Sequence, residues 1–122
     1  MLVSLKNGDI TLDDVSDIFR IIYSAAAEGM AEIWLSHNGR NLPALAVLVN
    51  GEYGCVNYFG RNDGDIMLSK GCGTKEVLFA AGGIEWSAPA DAVIPLDDVL
   101  ACVKEFCGNE KLPRCIEWQD GV

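Results

Sequence analysis

The chain's chemically able residues are five cysteines, a single histidine and an excess of carboxylates. The thiols stand at Cys55, Cys72, Cys102, Cys107 and Cys115. A cysteine nucleophile needs a base within hydrogen-bond reach to form its thiolate. His37 is the one imidazole, it sits in the turn-like cluster HNGRN, and no spacing ties it to any of the five thiols. Solvation in a turn is the plain reading of His37. A structural zinc site needs four nitrogen or sulfur ligands, usually in close pairs, and there is no Cys-x-x-Cys here. A zinc nucleobase deaminase needs a histidine next to a glutamate and a later Pro-Cys-x-x-Cys. Here Pro113-Arg114-Cys115 lacks the second cysteine and His37 precedes Asn38-Gly39, so that chemistry is excluded. The expectation is no catalytic residue, no metal and no cofactor.

Other fragments have simpler readings. Gly71-Cys72-Gly73 looks like part of a phosphate loop, but it lacks the Gly-Lys-Ser/Thr ending and no long helix follows, so it reads as a turn. Asp13-Asp14 and Asp97-Asp98 fall at expected helix starts, where the helix dipole favours negative charge. Asp63 and Asp65 alternate in GRNDGD like a piece of a calcium loop, without the remaining ligands or the terminal glutamate. That turn reads as solvated, or as acid presented to a basic partner.

Bulk properties narrow the function class. The 122 residues fit one domain spanning 1–122. Half are apolar, enough for a core, and the net charge is −9. Such a charge opposes unaided nucleic-acid binding and favours steering onto a cationic partner. No run approaches the roughly 18 apolar residues of a membrane span. The opening MLVSLKNGDITLDD turns acidic before a signal-like stretch develops, and the odd cysteine count fits reduced thiols. The expected location is cytoplasmic.

The elements follow from periodicity. Met1–Leu5 reads as a short edge strand. Thr11 sets up a helix whose stripe is Val15, Ile18, Phe19, Ile22 and Ala26, closed by Gly29. Strand-like runs follow: Ala31–Ser36, the wholly apolar Ala44–Val49, Glu52–Phe59 after the hairpin signal Asn50-Gly51, Ile66–Ser69, Glu76–Ala80, and Ile84–Ser87 after Gly82-Gly83. Their spacing is that of an antiparallel meander. Pro95 opens a second helix with Asp97 and Asp98 in its first turn and Val99, Leu100, Val103, Phe106 and Cys107 on its apolar face. Gly108 or Asn109 ends it, and Arg114–Trp118 returns to the sheet. The fold class is α+β: an antiparallel sheet of about five to seven short strands with two main helices on one face.

Read in order, Ser69-Lys70-Gly71 after a strand, Ile94-Pro95, an acidic first turn, Val103-Lys104-Glu105-Phe106, Pro113 and Ile116-Glu117-Trp118 resemble the Imm1 family of bacterial immunity proteins. The likeness covers most of the chain and is most specific over its last 30 or so residues. It implies an α+β protein of a polymorphic or contact-dependent toxin system, made beside a toxin and inhibiting it by tight, non-catalytic binding. Toxins of such systems are often nucleic-acid-modifying, with cytidine-deaminase-like domains prominent. Lys70 and Trp118 match pattern positions of the family with structural roles.

The residues agree independently. A toxin acting on nucleic acid carries positive potential around its cleft, and an acidic inhibitor can steer onto it. The expected toxin-binding residues are Glu52, Tyr53, Asp63, Asp65, Glu76, Glu85 and Trp86, with Tyr53 or Trp86 as aromatic anchors. The partner is a basic toxin domain, with no direct nucleic acid and no membrane. The competing reading is an acidic adaptor or secretion-chaperone-like module.

Overall fold

The computed structural model describes residues 1–37, 41–61 and 65–121. Strands β1 (Leu2–Leu5) and β2 (Gly8–Thr11) form a hairpin and lead into helix α1 (Val15–Glu28). Then come β3 (Met30–Ser36), β4 (Ala44–Asn50), β5 (Tyr53–Phe59), β6 (Ile66–Lys70), β7 (Val77–Ala81) and β8 (Ile84–Ala88). A 3-10 turn (Ala90–Ala92) and the short β9 (Ile94–Pro95) precede α2 (Leu96–Asn109), and β10 (Glu117–Asp120) follows it.

The main sheet runs β10-β6-β5-β4-β3-β1-β2, with β9 also pairing β5, and every pairing is antiparallel. The α+β class and the two helices on one face stand as expected. The strands are more numerous than the five to seven expected: β2 and β9 are too short to announce themselves by alternation. β7 and β8 do not continue the meander: they form a separate two-stranded sheet.

β4 shows why. Its residues Ala44 to Val49 are all buried, so both faces need cover. Leu45, Val47 and Val49 point to one face, where Ile18, Ile22 and Ala26 of α1 and Val99, Val103 and Phe106 of α2 meet them. Leu48 points to the other, into a smaller cluster with Cys55, Leu68, Phe79, Ala88 and Val93. Phe79 comes from the β7–β8 hairpin, which lies across β3 and β4 as a third layer. Its two-residue turn is Gly82-Gly83, at φ 62° and 83°, the backbone that joins twisted strands tightly and that glycine adopts without strain.

Several boundaries move for local reasons. Thr11 does not cap α1; it stays extended, paired with Leu2. The cap is Asp14, whose carboxylate accepts the Ser16 amide at 2.9 Å. β1 is no edge strand, because it pairs β2 on one side and β3 on the other. Pro95 is the residue before α2 rather than its first member, and it pairs with Tyr53. The left-handed residue at the end of α2 is Glu110, at φ 58°, not Gly108 or Asn109. The last strand starts at Glu117, later than the expected Arg114, and Trp118 packs with the helix-side core while its indole N–H donates to Pro113 O at 2.7 Å.

Candidate functional site

The β7–β8 hairpin covers only part of the second sheet face, and the uncovered part is a cleft. It has a volume of about 530 Å³, with Ala46, Leu48 and Leu68 among its apolar residues and Trp34, Phe59 and Trp86 as its aromatic ones. Alternation supplies these side chains. Ile33 and Leu35 of β3 are buried on the helix side, so Glu32 and Trp34 face the cleft. Trp34 stacks on Phe59 with ring centroids 5.1 Å apart and planes at 28°. Ile84, at the hairpin tip, is 71% exposed at the mouth, and Trp34 is 36% exposed. Exposed aromatic and aliphatic surface concentrated in one concavity is the usual makeup of a binding hot spot.

Two polar clamps hold the hairpin over the sheet. The Glu32 carboxylate accepts the Gly82 amide at 3.1 and 3.0 Å through its two oxygens, and the Trp34 indole N–H at 3.1 Å. Asn50 donates its side-chain amide to Leu78 O at 2.9 Å. Glu32 is the charged residue in the cleft, and among the described residues no lysine or arginine pairs with it.

A further plug seals the other end of the cleft-side sheet. β5 pairs β6 at Asn57–Phe59 and β9 at Tyr53–Gly54, leaving its edge open between them. The fully buried Ser69 hydroxyl fills the gap: it accepts the Val56 amide at 3.1 Å and donates to Ala92 O at 2.7 Å. The Gly71-Cys72-Gly73 segment packs beside it. Gly71 N donates to Asp91 O at 2.7 Å, and a Cβ on Gly73 would collide with Ala90 O. Ser69-Lys70-Gly71 is therefore a structural joint, with Lys70 exposed on its surface.

The expected toxin-binding residues split into two groups. Trp86 lines the cleft, and exposed Asp65 adjoins Ile66 of its wall. Glu52, Tyr53 and Glu76 lie toward the base of the hairpin, Glu52 in the turn before β5 and Tyr53 at its first position. Phe59 lies six positions beyond Tyr53 along the strand, roughly 20 Å. Tyr53 is also engaged within the molecule, with Lys75 Nζ 5.1 Å from its ring centroid, and Glu76 accepts the Ser87 hydroxyl at 3.2 Å. Glu85 is exposed on the hairpin, and alternation with Trp86 turns it away from the cleft. Asp63 lies outside the described residues. Trp34, Phe59, Glu32 and Ile84 were not among the expected residues. The signal for two of them is the alternation of Glu32-Ile33-Trp34-Leu35, which puts a carboxylate and an indole together opposite two aliphatics.

Among the described residues no hydrogen bond joins the imidazole to a thiol. His37 is not solvated as expected: its Nε2–H donates to Phe106 O at 3.3 Å and its Nδ1 lies 3.8 Å from Glu110, at the end of α2. Burial pushes the Cys55 and Cys115 thiols up to about 11 each, and Cys102 and Cys107 upward as well. A thiol held protonated is a poor nucleophile at neutral pH. Among the described residues no group of three or more His, Cys, Asp or Glu is placed to hold a metal ion, and no helix is long and apolar enough to cross a membrane.

An antiparallel sheet with helices on one face, a clamped hairpin on the other and an aromatic cleft between hairpin and sheet define a binding protein by its surface. The family model described as Immunity protein Imm1 matches residues 8–120, and the chain belongs to that family. It is thus an immunity protein with a cognate toxin as its partner. No curated protein matches the chain.

Proposed function

We propose that this immunity protein neutralises its toxin in the cytoplasm by forming a tight complex, as a single domain and without catalysis of its own. The toxin is a basic, nucleic-acid-targeting domain of the deaminase-like kind. The family match over residues 8–120 carries the reading. Charge supports the choice of toxin: a chain of net charge −9 is attracted to the positive potential that a nucleic-acid enzyme needs around its substrate. The raised thiols speak for binding rather than turnover.

The interface centres on the cleft. Trp34, Phe59 and Trp86 supply desolvated contact area, Ile84 adds an apolar lip, and Glu32 and Asp65 supply negative charge in and beside it, while Glu85, on the hairpin's outer face, adds charge for the approach. Asp63 is proposed as a further acidic contact. Glu52, Tyr53 and Glu76 form a second acidic region toward the hairpin base, suited to steering the approach rather than anchoring the complex.

The test is direct. The polypeptide encoded beside this gene is purified alone and with the immunity protein, and its deamination of cytidine in single- and double-stranded DNA is followed. A stable 1:1 complex with deamination abolished is the expected result. A partner that deaminates unhindered in a saturating excess of this chain overturns the proposal.

A further inference from the structure

The second large concavity is a notch in the sheet itself. β3 is seven residues long and pairs β4 along its whole length, from Met30↔Asn50 to Ser36↔Ala44. On its other edge β1 covers Trp34, Leu35 and Ser36 alone. The edge of Met30, Ala31, Glu32 and Ile33 has no strand partner among the described residues, and no turn or side-chain hydrogen bond there takes its place. Beside it lies a groove of about 1080 Å³, walled by Ile21, Ser24 and Ala25 of α1 on one side and reaching Ala80 and Gly83 of the hairpin on the other.

Proteins usually blunt an open edge with a bulge, a proline or an inward-pointing lysine. Neither a bulge nor a proline is present, and the lysine that lines the groove, Lys6, stands on the β1–β2 turn and not on β3. The β3–β4 register is unbroken, and Met30–Ile33 contains neither proline nor lysine. The one charge is Glu32, and its carboxylate is drawn up to the hairpin turn at Gly82 rather than across the edge. An unpaired row of backbone donors and acceptors, open over about 13 Å and flanked by a layer on each side, selects one kind of occupant: an extended polypeptide segment.

We infer that β3 accepts a strand from the toxin, which pairs with Met30–Ile33 and extends the sheet beside β1. The inference rests on the immunity reading. The occupant follows from continuity: Glu32 and Trp34 line both this groove and the aromatic cleft, so one partner seated in the cleft lies against the notch. Alternate side chains of the added strand face Ile21 and Ala25 on the helix side and Gly83 on the hairpin side, which asks for apolar residues on one face and small ones on the other.

Amide hydrogen exchange of the whole chain, free and mixed with the polypeptide encoded beside its gene, tests this. Complex formation is first scored by size-exclusion chromatography with light scattering. The edge-facing amides within Met30–Ile33 should slow at least about tenfold in the complex. Ser24→Trp, a bulky change at an exposed α1 position on the groove wall, should weaken binding at least about tenfold with the thermal midpoint unchanged. A complex that forms with these amides exchanging as in the free chain, or with Ser24→Trp binding as wild type, overturns the strand pairing and leaves the immunity reading standing. Failure to form any complex overturns both.

Discussion

Glu32 and Gly82 stand fifty positions apart, yet the carboxylate of the first holds the backbone amide of the second with both oxygens, at 3.1 and 3.0 Å. This contact fixes the tip of the β7–β8 hairpin over β3. It also sets the width of the cleft, because the same carboxylate holds the Trp34 indole at 3.1 Å. Glu32→Ala should release both. The bond is partly solvated, so the cost to stability is modest, about 1 kcal/mol. Amides of Val77–Ala88 should exchange faster while those of α2 do not; hairpin amides exchanging as in wild type would mean that the apolar contacts and the Asn50–Leu78 bond hold it without Glu32.

The aromatic wall makes a sharper prediction for binding. Trp34→Ala and Trp86→Ala should each raise the Kd of the toxin complex by about 30-fold, near 2 kcal/mol, mainly through faster dissociation. Asp65→Lys should act on association instead, lowering its rate and its salt dependence. Surface plasmon resonance at two ionic strengths separates these effects. Two tryptophan variants that bind as wild type would move the interface away from the cleft.

Ser69→Ala tests the joint between β6 and β9. The change leaves the Val56 amide and the Ala92 carbonyl without their partner in a fully buried place. A loss of about 2 kcal/mol in urea unfolding is expected. Ser69→Thr keeps the hydroxyl but adds a methyl where no exposed surface remains, so it should recover only part of the loss.

The cysteines should behave as structural residues. With thiols near 11, Cys55 and Cys115 are almost wholly protonated at pH 7.5, and their reaction with iodoacetamide should be slower than that of free cysteine. The rate at Cys115, the exposed one, should climb as the pH approaches 11. Peptide mapping after timed labelling reads each site. Labelling of either faster than free cysteine would reopen nucleophilic catalysis.

Asp14 gives the pH test. Hydrogen bonds from the Ser16 amide and hydroxyl hold its carboxyl below the ordinary value of 3.8. The stabilisation is therefore complete above about that value and disappears as the pH falls through the lower folded one. Asp14→Ala should unfold at lower urea than wild type at pH 7, and the gap between them should close in strong acid. A gap that persists unchanged at low pH would assign the cap to something other than the charged carboxylate.

Much of the framework was readable before any coordinates. The unbroken run Ala44–Val49 marked a strand covered on both faces, and the apolar positions of α2 marked Val99, Val103 and Phe106 as core. The identity of the cover was not readable. Period-two alternation in Val77–Ala81 and Ile84–Ala88 describes a strand, but says nothing about which sheet it joins, so the hairpin looked like more meander. Thr11 has a good capping side chain, but its pairing with Leu2 keeps the chain extended past it. Charge, turn position and aromatic character point to Trp86, which lines the cleft, and to Asp65 beside it, but carry no sign of Glu32 and Trp34, which are tied into the cleft by long-range contacts to Gly82 and Phe59.

β4 sits between two unlike interiors, and successive side chains report to different ones. Val47 answers to the helices, Leu48 to the hairpin. Damage at one residue need not spread to the layer served by its neighbour. The hairpin's outer surface, with Leu78 47% exposed and Glu85 and Ser87 open, belongs to neither interior. Substitutions on that surface can accumulate while the scaffold beneath it keeps its packing, so the hairpin can change its outward chemistry without disturbing either core.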